Sequence, residues 1–138
     1  MEQVRPADIG GPVWAYRGLS IVTALLLILQ PVLAGQFEYN DKPDYRDAHS
    51  VMANVIFLTV AGQFVLALLA RRTLGIGLAV LNLVMIILVG MQIGFGYAAE
   101  DNPDRLALHL PLGVLLFGLG LTAAFLAFFD LRTQRRIT

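Results

Sequence analysis

Two histidines are the residues of this sequence best suited to chemistry. His49 and His109 are the only histidines of the 138-residue chain, and each stands near the start of a long apolar segment. Imidazole is a good axial ligand for haem iron, and helix bundles commonly hold cofactors between facing helices. The chain has no cysteine, which excludes thiolate metal sites and the covalent attachment of c-type haem. The pair therefore predicts a non-covalent haem site, with b-type haem as the expected cofactor.

The neighbours of the two histidines suit a flat macrocycle that carries acidic groups. A small residue follows each histidine by four positions, so it lies one turn deeper on the same helix face. An arginine precedes each histidine by three or four positions, where it could pair with a haem propionate near water. The residues expected to contact the cofactor, besides the histidines, are Ala53, Gly113, Arg46 and Arg105, together with Gln30 and Gln92 at a similar depth.

Two other interpretations of the histidines stay open. A histidine at a membrane interface is often an amphipathic residue whose polar edge lies in water, with no cofactor. Another metal is the second alternative, and zinc or copper would need a third and a fourth ligand. Asp44 and Asp47 are nearby acidic candidates, but no spacing singles them out.

Four apolar segments must position these residues. The chain is 57% hydrophobic and only 14% charged, whereas a soluble domain has about 25% charged residues. A membrane-spanning helix needs about 20 mostly apolar residues. Four stretches qualify, at approximately 18–36, 50–70, 74–98 and 106–129, and the second and third are separated by only a short turn. The sequence predicts an all-α integral membrane protein, a four-transmembrane-helix bundle forming one domain over residues 1–138.

The basic residues are divided unevenly between the two ends of the predicted bundle. Seven fall on the side of the termini, namely Arg5, Arg17, Arg71, Arg72, Arg132, Arg135 and Arg136. Three fall on the other side, Lys42, Arg46 and Arg105. By the positive-inside rule, both termini are predicted to lie in the cytoplasm and both histidines near the extracytoplasmic face of a bacterial inner membrane. A formal net charge of zero gives no reason to expect nucleic acid as a partner.

The two halves of the chain resemble each other. Gln30 precedes His49 by 19 residues, and Gln92 precedes His109 by 17. Each half consists of an apolar helix, an acidic loop, an arginine, a histidine and a second apolar helix. We therefore predict two pseudo-repeated helical hairpins, related by an axis along the membrane normal. Such an axis would bring the histidines to one depth, facing each other.

Amide and glycine residues within the spans predict helix packing. Polar groups in a span are expected to face protein and to hydrogen-bond between helices. The amides concerned are Gln30, Asn54, Gln63, Asn82 and Gln92. Gly90 and Gly94 form a small-xxx-small pattern, which marks close helix packing within the chain or between copies of it.

Residues 91–96 and 108–113 carry a resemblance to one four-helix half of the haem A synthase family, and the resemblance covers about residues 19–129. Members of that family have eight spans in two halves, and their histidine pairs ligate haem on the extracytoplasmic side. The resemblance, which extends to small four-helix bacterial membrane proteins, implies haem ligation by His49 and His109. It does not carry over the catalytic activity. Ser50 stands where the family typically has an arginine, and Asp47 only approximates the position of its glutamate.

These observations predict a membrane haem protein for electron transfer or haem handling. A bis-histidine iron has no open position, which argues against oxygen chemistry, so no catalytic residue is assigned. One alternative is a cofactor-free accessory subunit of a larger membrane complex, such as a respiratory one. Another is an enzyme resembling haem A synthase that acts as a homodimer and depends on an acid such as Asp47.

Overall fold

The computed structural model describes residues 10–40 and 42–129, and of residues 100 and 103 it describes only the backbone. The described part of the chain is helical almost throughout. Its helices are α1 (Gly11–Asn40), α2 (Pro43–Leu69), the one-turn α3 (Arg71–Leu74), α4 (Ile76–Asp101) and α5 (Leu106–Phe128), with a 3-10 turn at Pro103–Arg105. Several charged residues used to predict the orientation lie outside the described residues, namely Arg5, Arg132, Arg135 and Arg136.

Helices α1, α2, α4 and α5 are each long and apolar enough to cross a membrane. Their outward faces expose large apolar side chains, such as Leu25 at 60%, Leu58 at 68% and Phe125 at 57%. A soluble monomer rarely exposes so much contiguous apolar surface, whereas a protein surrounded by lipid must. The prediction of an all-helical chain with four helices long and apolar enough to span a membrane is confirmed.

The helices extend beyond the predicted apolar spans. Helix α1 continues to Asn40 and α2 begins at Pro43, so the polar run that we expected to connect the first two spans is mostly helical. Pro43 occupies the start of α2, where its missing N–H breaks no helical hydrogen bond. Asp44 lies in the first turn, next to the positive end of the helix dipole. The polar residues therefore prolong the helices past the apolar region.

Each of the four long helices packs mainly against two of the others, so that the four are arranged in a ring. Helix α1 packs mainly against α2 and α5, and α4 packs against the same two helices. Helices α2 and α5 consequently stand diagonally opposite each other. Helix α3 turns the chain between α2 and α4 and is followed by Gly75, whose φ of 85° lies in the left-handed region that glycine adopts without strain.

The two ends of the bundle carry different residues. The arginine end contains the start of α1, helix α3 and the end of α5. There the Nε atom of Arg17 donates a 2.8 Å hydrogen bond to the carbonyl oxygen of Ala127, and its guanidinium lies 5.1 Å from the ring centroid of Trp14 and 5.2 Å from that of Phe128. This contact joins the first helix to the last. The histidine end contains the end of α1, the start of α2, the end of α4 and the start of α5.

An apolar cluster fills the middle of the bundle, and a polar layer lies between it and the arginine end. The apolar cluster consists of Leu27, Ile56, Val60, Met85, Val89, Leu116 and Ala123. The polar layer consists of Tyr16, Ser20, Thr23, Gln63 and Asn82, each at most 1% exposed. In this layer Gln63 Nε2 donates to Thr23 Oγ1 at 2.6 Å, and Asn82 Nδ2 donates to the Tyr16 hydroxyl oxygen at 2.8 Å. The polar layer thus links α1 to both α2 and α4.

One prediction about residues in the spans needs correction, and of the two alternatives given for the glycine pattern the structure leaves packing between copies. Among the described residues Asn54 forms no hydrogen bond to another helix: it is exposed, and its Nδ2 donates to the carbonyl oxygen of Ser50 on its own helix. Gly90 and Gly94 are exposed as well, and a Cβ added at either would meet no described atom within 4 Å. Within the described residues, the small-xxx-small pattern therefore makes no close helix contact and faces outward.

Candidate functional site

The two histidines face each other across the interior of the histidine end. His49 comes from α2 and His109 from α5, and their ring centroids lie 6.3 Å apart with the ring planes inclined at 54°. Two imidazoles that bind one metal ion through Nε2, at about 2 Å per metal–nitrogen bond, have their centroids roughly 6 Å apart. The observed separation therefore suits a single metal centre between the rings.

A backbone carbonyl group from a neighbouring helix fixes each imidazole. Nδ1 of His49 lies 3.2 Å from the carbonyl oxygen of Gln30 on α1, and Nδ1 of His109 lies 3.0 Å from that of Gln92 on α4. A carbonyl oxygen can only accept a hydrogen bond, so Nδ1 of each ring carries a proton and donates it. In the neutral rings the lone pair is then on Nε2. Histidines that bind metals commonly have this arrangement, with the second nitrogen donating to a carbonyl or carboxylate.

The side chains of the two glutamines contact the histidines differently. Gln30 Nε2 donates to the backbone carbonyl oxygen of His49 at 3.2 Å, whereas Gln92 Nε2 lies 3.2 Å from the ring atom Nε2 of His109. Among the described residues, Oε1 of both glutamines is buried and has no hydrogen-bond partner. A buried amide oxygen needs a donor, which a water molecule or a ligand in the adjoining space would supply.

A cavity of about 800 Å³ lies at the histidine end among α1, α2, α4 and α5. Cofactor and small-molecule sites typically have volumes of about 300–1,000 Å³. Seven of the eight residues predicted to contact the cofactor line this cavity: Gln30, Arg46, His49, Ala53, Gln92, His109 and Gly113. Leu27, Ile56, Val89 and Leu116 also line it, so the apolar cluster closes the cavity toward the middle of the bundle.

Three polar residues considered from the sequence lie apart from the cavity lining. Arg105 is exposed at the end of the 3-10 turn, and Asp44 and Asp47 are exposed near the start of α2. Arg46, by contrast, reaches the cavity with its guanidinium 5.3 Å from the ring centroid of Phe37. Only one of the two arginines predicted to meet a propionate therefore borders the site.

The donor set fits a haem better than a bare metal ion. Among the residues that the structure describes, no group of three or more histidine, cysteine or acidic side chains is assembled. Two imidazoles alone fall short of the four ligands that zinc usually takes in proteins. A haem would need only two ligands from the protein, which His49 and His109 would supply, because its macrocycle carries four nitrogen ligands of its own. The apolar lining and the volume of the cavity are compatible with such a group.

Two residues that contact the histidine rings were missed in the sequence. A Cβ on Gly96 would lie 3.1 Å from Cε1 of His109, so the ring packs directly against the backbone of α4. Phe37 contacts His49 edge-on, with ring centroids 5.6 Å apart. Gly96 could have been found, because it lies four residues after Gln92 and so on the same helix face. Phe37 could not, because it was assigned to a connecting segment.

The space beside Gly113 is used differently from our expectation. We expected this small residue to leave clearance for a macrocycle. In the structure a Cβ at this position would lie 3.1 Å from Nε2 of Gln92, so the Gln92 side chain occupies part of that clearance. The corresponding small residue on α2, Ala53, lines the cavity.

Comparison with known proteins assigns no family to this arrangement. No family model matches the sequence, and neither a curated protein nor a solved structure matches the chain. The chemistry of the site therefore has to follow from its own residues.

Proposed function

We propose that this chain is a haem-binding protein of the bacterial inner membrane, with one non-covalent b-type haem held between His49 and His109. The observation that carries the proposal is the histidine pair itself. The ring centroids are 6.3 Å apart, and each Nδ1 is engaged by a backbone carbonyl, which leaves Nε2 as the ligating atom. When bound, haem supplies one-electron redox chemistry, which suits electron transfer or haem handling.

The chain's own residues would bind, orient and shield the group. The carbonyl groups of Gln30 and Gln92 hold the two imidazoles in one tautomer and orientation. Arg46, at the exposed rim, offers a cationic partner for a carboxylate near water. The apolar cluster beneath the cavity keeps water out of the middle of the bundle and lowers the local dielectric, a property that raises or lowers haem redox potentials.

The pseudo-repeat and the orientation belong to the same proposal. In each half of the chain a histidine donates from Nδ1 to the carbonyl of a glutamine on the preceding long helix, which supports two equivalent hairpins. Arg17, Arg71 and Arg72 at the arginine end support a cytoplasmic location for the termini, and the histidine end would then face outward. A redox partner would reach the site from the extracytoplasmic side.

Optical spectroscopy on the detergent-purified protein tests the proposal. Protein from cells well supplied with haem is expected to show the Soret and α bands of a bis-histidine haem, and His49→Ala or His109→Ala should each remove that bis-histidine spectrum. Asn54→Ala is the matched control, since Asn54 lies near His49 but is exposed and bonds only to its own helix. A colourless wild-type protein, or His variants with an unchanged spectrum, would refute the proposal.

The outward-facing glycines favour a second candidate, an accessory subunit of a larger membrane complex without a cofactor. Gly90 and Gly94 present open backbone surface on α4, and such surfaces allow another helix to approach closely. This candidate predicts that Gly90→Leu prevents co-purification with a partner, whereas a variant lacking both histidines still assembles.

The enzyme alternative with Asp47 gains no support from the site, because Asp47 is exposed and outside the cavity lining. Unchanged haem turnover in Asp47→Asn would exclude it.

A further inference from the structure

We propose that His49 and His109 are unequal ligands, and that the side-chain amide of Gln92 is a displaceable cap on His109. The inference rests on the proposed function and concerns how that site is regulated. Nε2 of His109 is the atom with the lone pair, and Nε2 of Gln92 donates to it across 3.2 Å. A metal can reach His109 only when this amide has moved away.

His49 has no comparable cap. The side-chain amide of Gln30, which occupies the matching position in the first half, donates to the backbone carbonyl of His49 and not to its ring. Within residues 10–40 and 42–129, no hydrogen bond reaches Nε2 of His49. Its Nδ1 is already oriented by the carbonyl of Gln30. Both contacts with Gln30 can persist when Nε2 of His49 binds a metal, so His49 is the preorganised ligand.

Gln92 is held in a way that allows it to leave. Its Oε1 is buried without a partner among the described residues, so the hydrogen bond to His109 is the contact that orients its amide. Its Nε2 lies against Gly113, where any larger residue would crowd it. The backbone carbonyl of Gln92 holds Nδ1 of the same ring independently of the side chain. The amide can therefore swing away while the imidazole keeps its orientation.

Displacing the cap reduces the strength of ligation by His109. The net contribution of one hydrogen bond corresponds to roughly a 2- to 10-fold change in an equilibrium constant. Haem should therefore bind first to His49, and the bond to His109 should be the one that opens when another ligand or a haem acceptor competes. Unequal ligands of this kind suit a protein that passes haem on or exposes one face of it.

The cap itself can be tested without haem. In the haem-free protein labelled with ¹⁵N-histidine, the Nε2 resonance of His109 should have the shift of a hydrogen-bonded acceptor, and Gln92→Leu should move it toward that of a free lone pair. Gln30→Leu is the matched control and should leave the Nε2 resonance of His109 unchanged. An Nε2 shift of His109 that is the same in the wild type and in Gln92→Leu would overturn the inference.

Haem titration tests the inequality of the ligands. Gln92→Leu should bind haem about fivefold more tightly than the wild type, while Asn54→Leu, at an exposed position outside the cavity lining, should leave the affinity unchanged. His109→Ala should retain haem through His49 with a five-coordinate spectrum, whereas His49→Ala should lose most of it. Equal losses in the two histidine variants, or an unchanged affinity in Gln92→Leu, would contradict the inference while leaving the bis-histidine proposal intact. If the wild type binds no haem, the proposed function fails together with the inference about haem ligation, and the NMR result reports on the cap alone.

Discussion

The polar layer near the arginine end and the site at the histidine end use amide side chains in different ways. In the polar layer Gln63 and Asn82 are at most 1% exposed, and each donates to a hydroxyl oxygen on α1. At the histidine end Gln30 and Gln92 contact histidines beside a cavity of about 800 Å³. Unpaired amide oxygens occur in both regions, since Oδ1 of Asn82 is also buried without a partner among the described residues. The open space beside the amides, and not their bonding alone, distinguishes a site from a packing contact.

Side-chain size accounts for this difference in space. Near the arginine end the full volume of the Tyr16 side chain is buried against alanines on three other helices, Ala67, Ala79 and Ala127. Large and small residues interlock there, which gives the close packing typical of protein interiors. At the histidine end the small residues Ala53, Gly96 and Gly113 line the cavity. The His109 ring and the Gln92 amide contact the two glycines, and a space of about 800 Å³ remains. The helices of that end leave room for a ligand.

The largest expected effect on stability comes from removing a large side chain from the closely packed region near the arginine end. Tyr16→Ala removes a completely buried ring and its hydrogen bond with Asn82, so the free energy of unfolding should fall by about 3–5 kcal/mol. His49→Ala removes a half-buried ring beside a cavity and one hydrogen bond, and should cost only about 1 kcal/mol. Denaturation with SDS in mixed micelles, followed by circular dichroism, measures both values. Similar losses in the two variants would mean that the histidine end is packed as tightly as the polar layer.

Two glycines on α5 allow the same comparison with a single added methyl group. A Cβ on Gly120 would lie 2.5 Å from Cδ1 of Leu27, so this core side chain must shift within the apolar cluster, and Gly120→Ala should cost about 1–3 kcal/mol. A Cβ on Gly113 would meet only the Gln92 amide beside the cavity, so Gly113→Ala should change stability by less than about 0.5 kcal/mol. The same SDS titration decides the point, and a larger loss from Gly113→Ala would reverse our assignment of the open region.

The sequence predicted the helices well, because their signal is the composition of long segments. Four stretches of apolar residues are sufficient to identify four spans. The bounds were less accurate: Pro43 and the residues after it form helix although they are polar, since helix propagation needs no apolar face once the chain has left the lipid. Segment hydropathy therefore predicts the part of a helix that lies in lipid and not where the helix ends.

The site was predicted from the sequence only in part. The histidines, the glutamines and the small residues that follow the histidines share the cavity because their spacing places them on interior helix faces. Arg105 does not reach it, because the 3-10 turn before α5 points this residue into solvent, a local geometry that spacing along a helix does not describe. The different roles of Gln30 and Gln92 depend on rotamers, which no sequence pattern specifies.

Arg46 and Arg105 provide a smaller test of the cavity boundary. Arg46 lines the cavity and Arg105 does not, so Arg46→Gln should weaken haem binding about 2- to 5-fold, the range for an exposed ion pair, while Arg105→Gln should leave it unchanged. Titration of the haem-free protein at low and moderate salt measures the difference, which should shrink as salt screens the charge. An equal effect of the two substitutions would show that long-range charge, and not contact at the cavity, attracts the propionates.

The smallest expected effect concerns the coupling of Asn82 with Tyr16. Asn82→Leu leaves the buried Tyr16 hydroxyl without this partner, and Tyr16→Phe leaves Asn82 Nδ2 only its 2.8 Å bond to the carbonyl oxygen of Leu78. The double variant removes both polar groups. In a membrane interior such side-chain hydrogen bonds couple by only about 0.6 kcal/mol on average, because the unfolded state in the membrane also finds partners. A double-mutant cycle by SDS titration should give a coupling energy of that size.

Haem binding in all three variants should equal that of the wild type, because the apolar cluster separates this pair from the cavity. A loss of haem affinity in Asn82→Leu would show that the two regions are linked through the bundle core and are not independent.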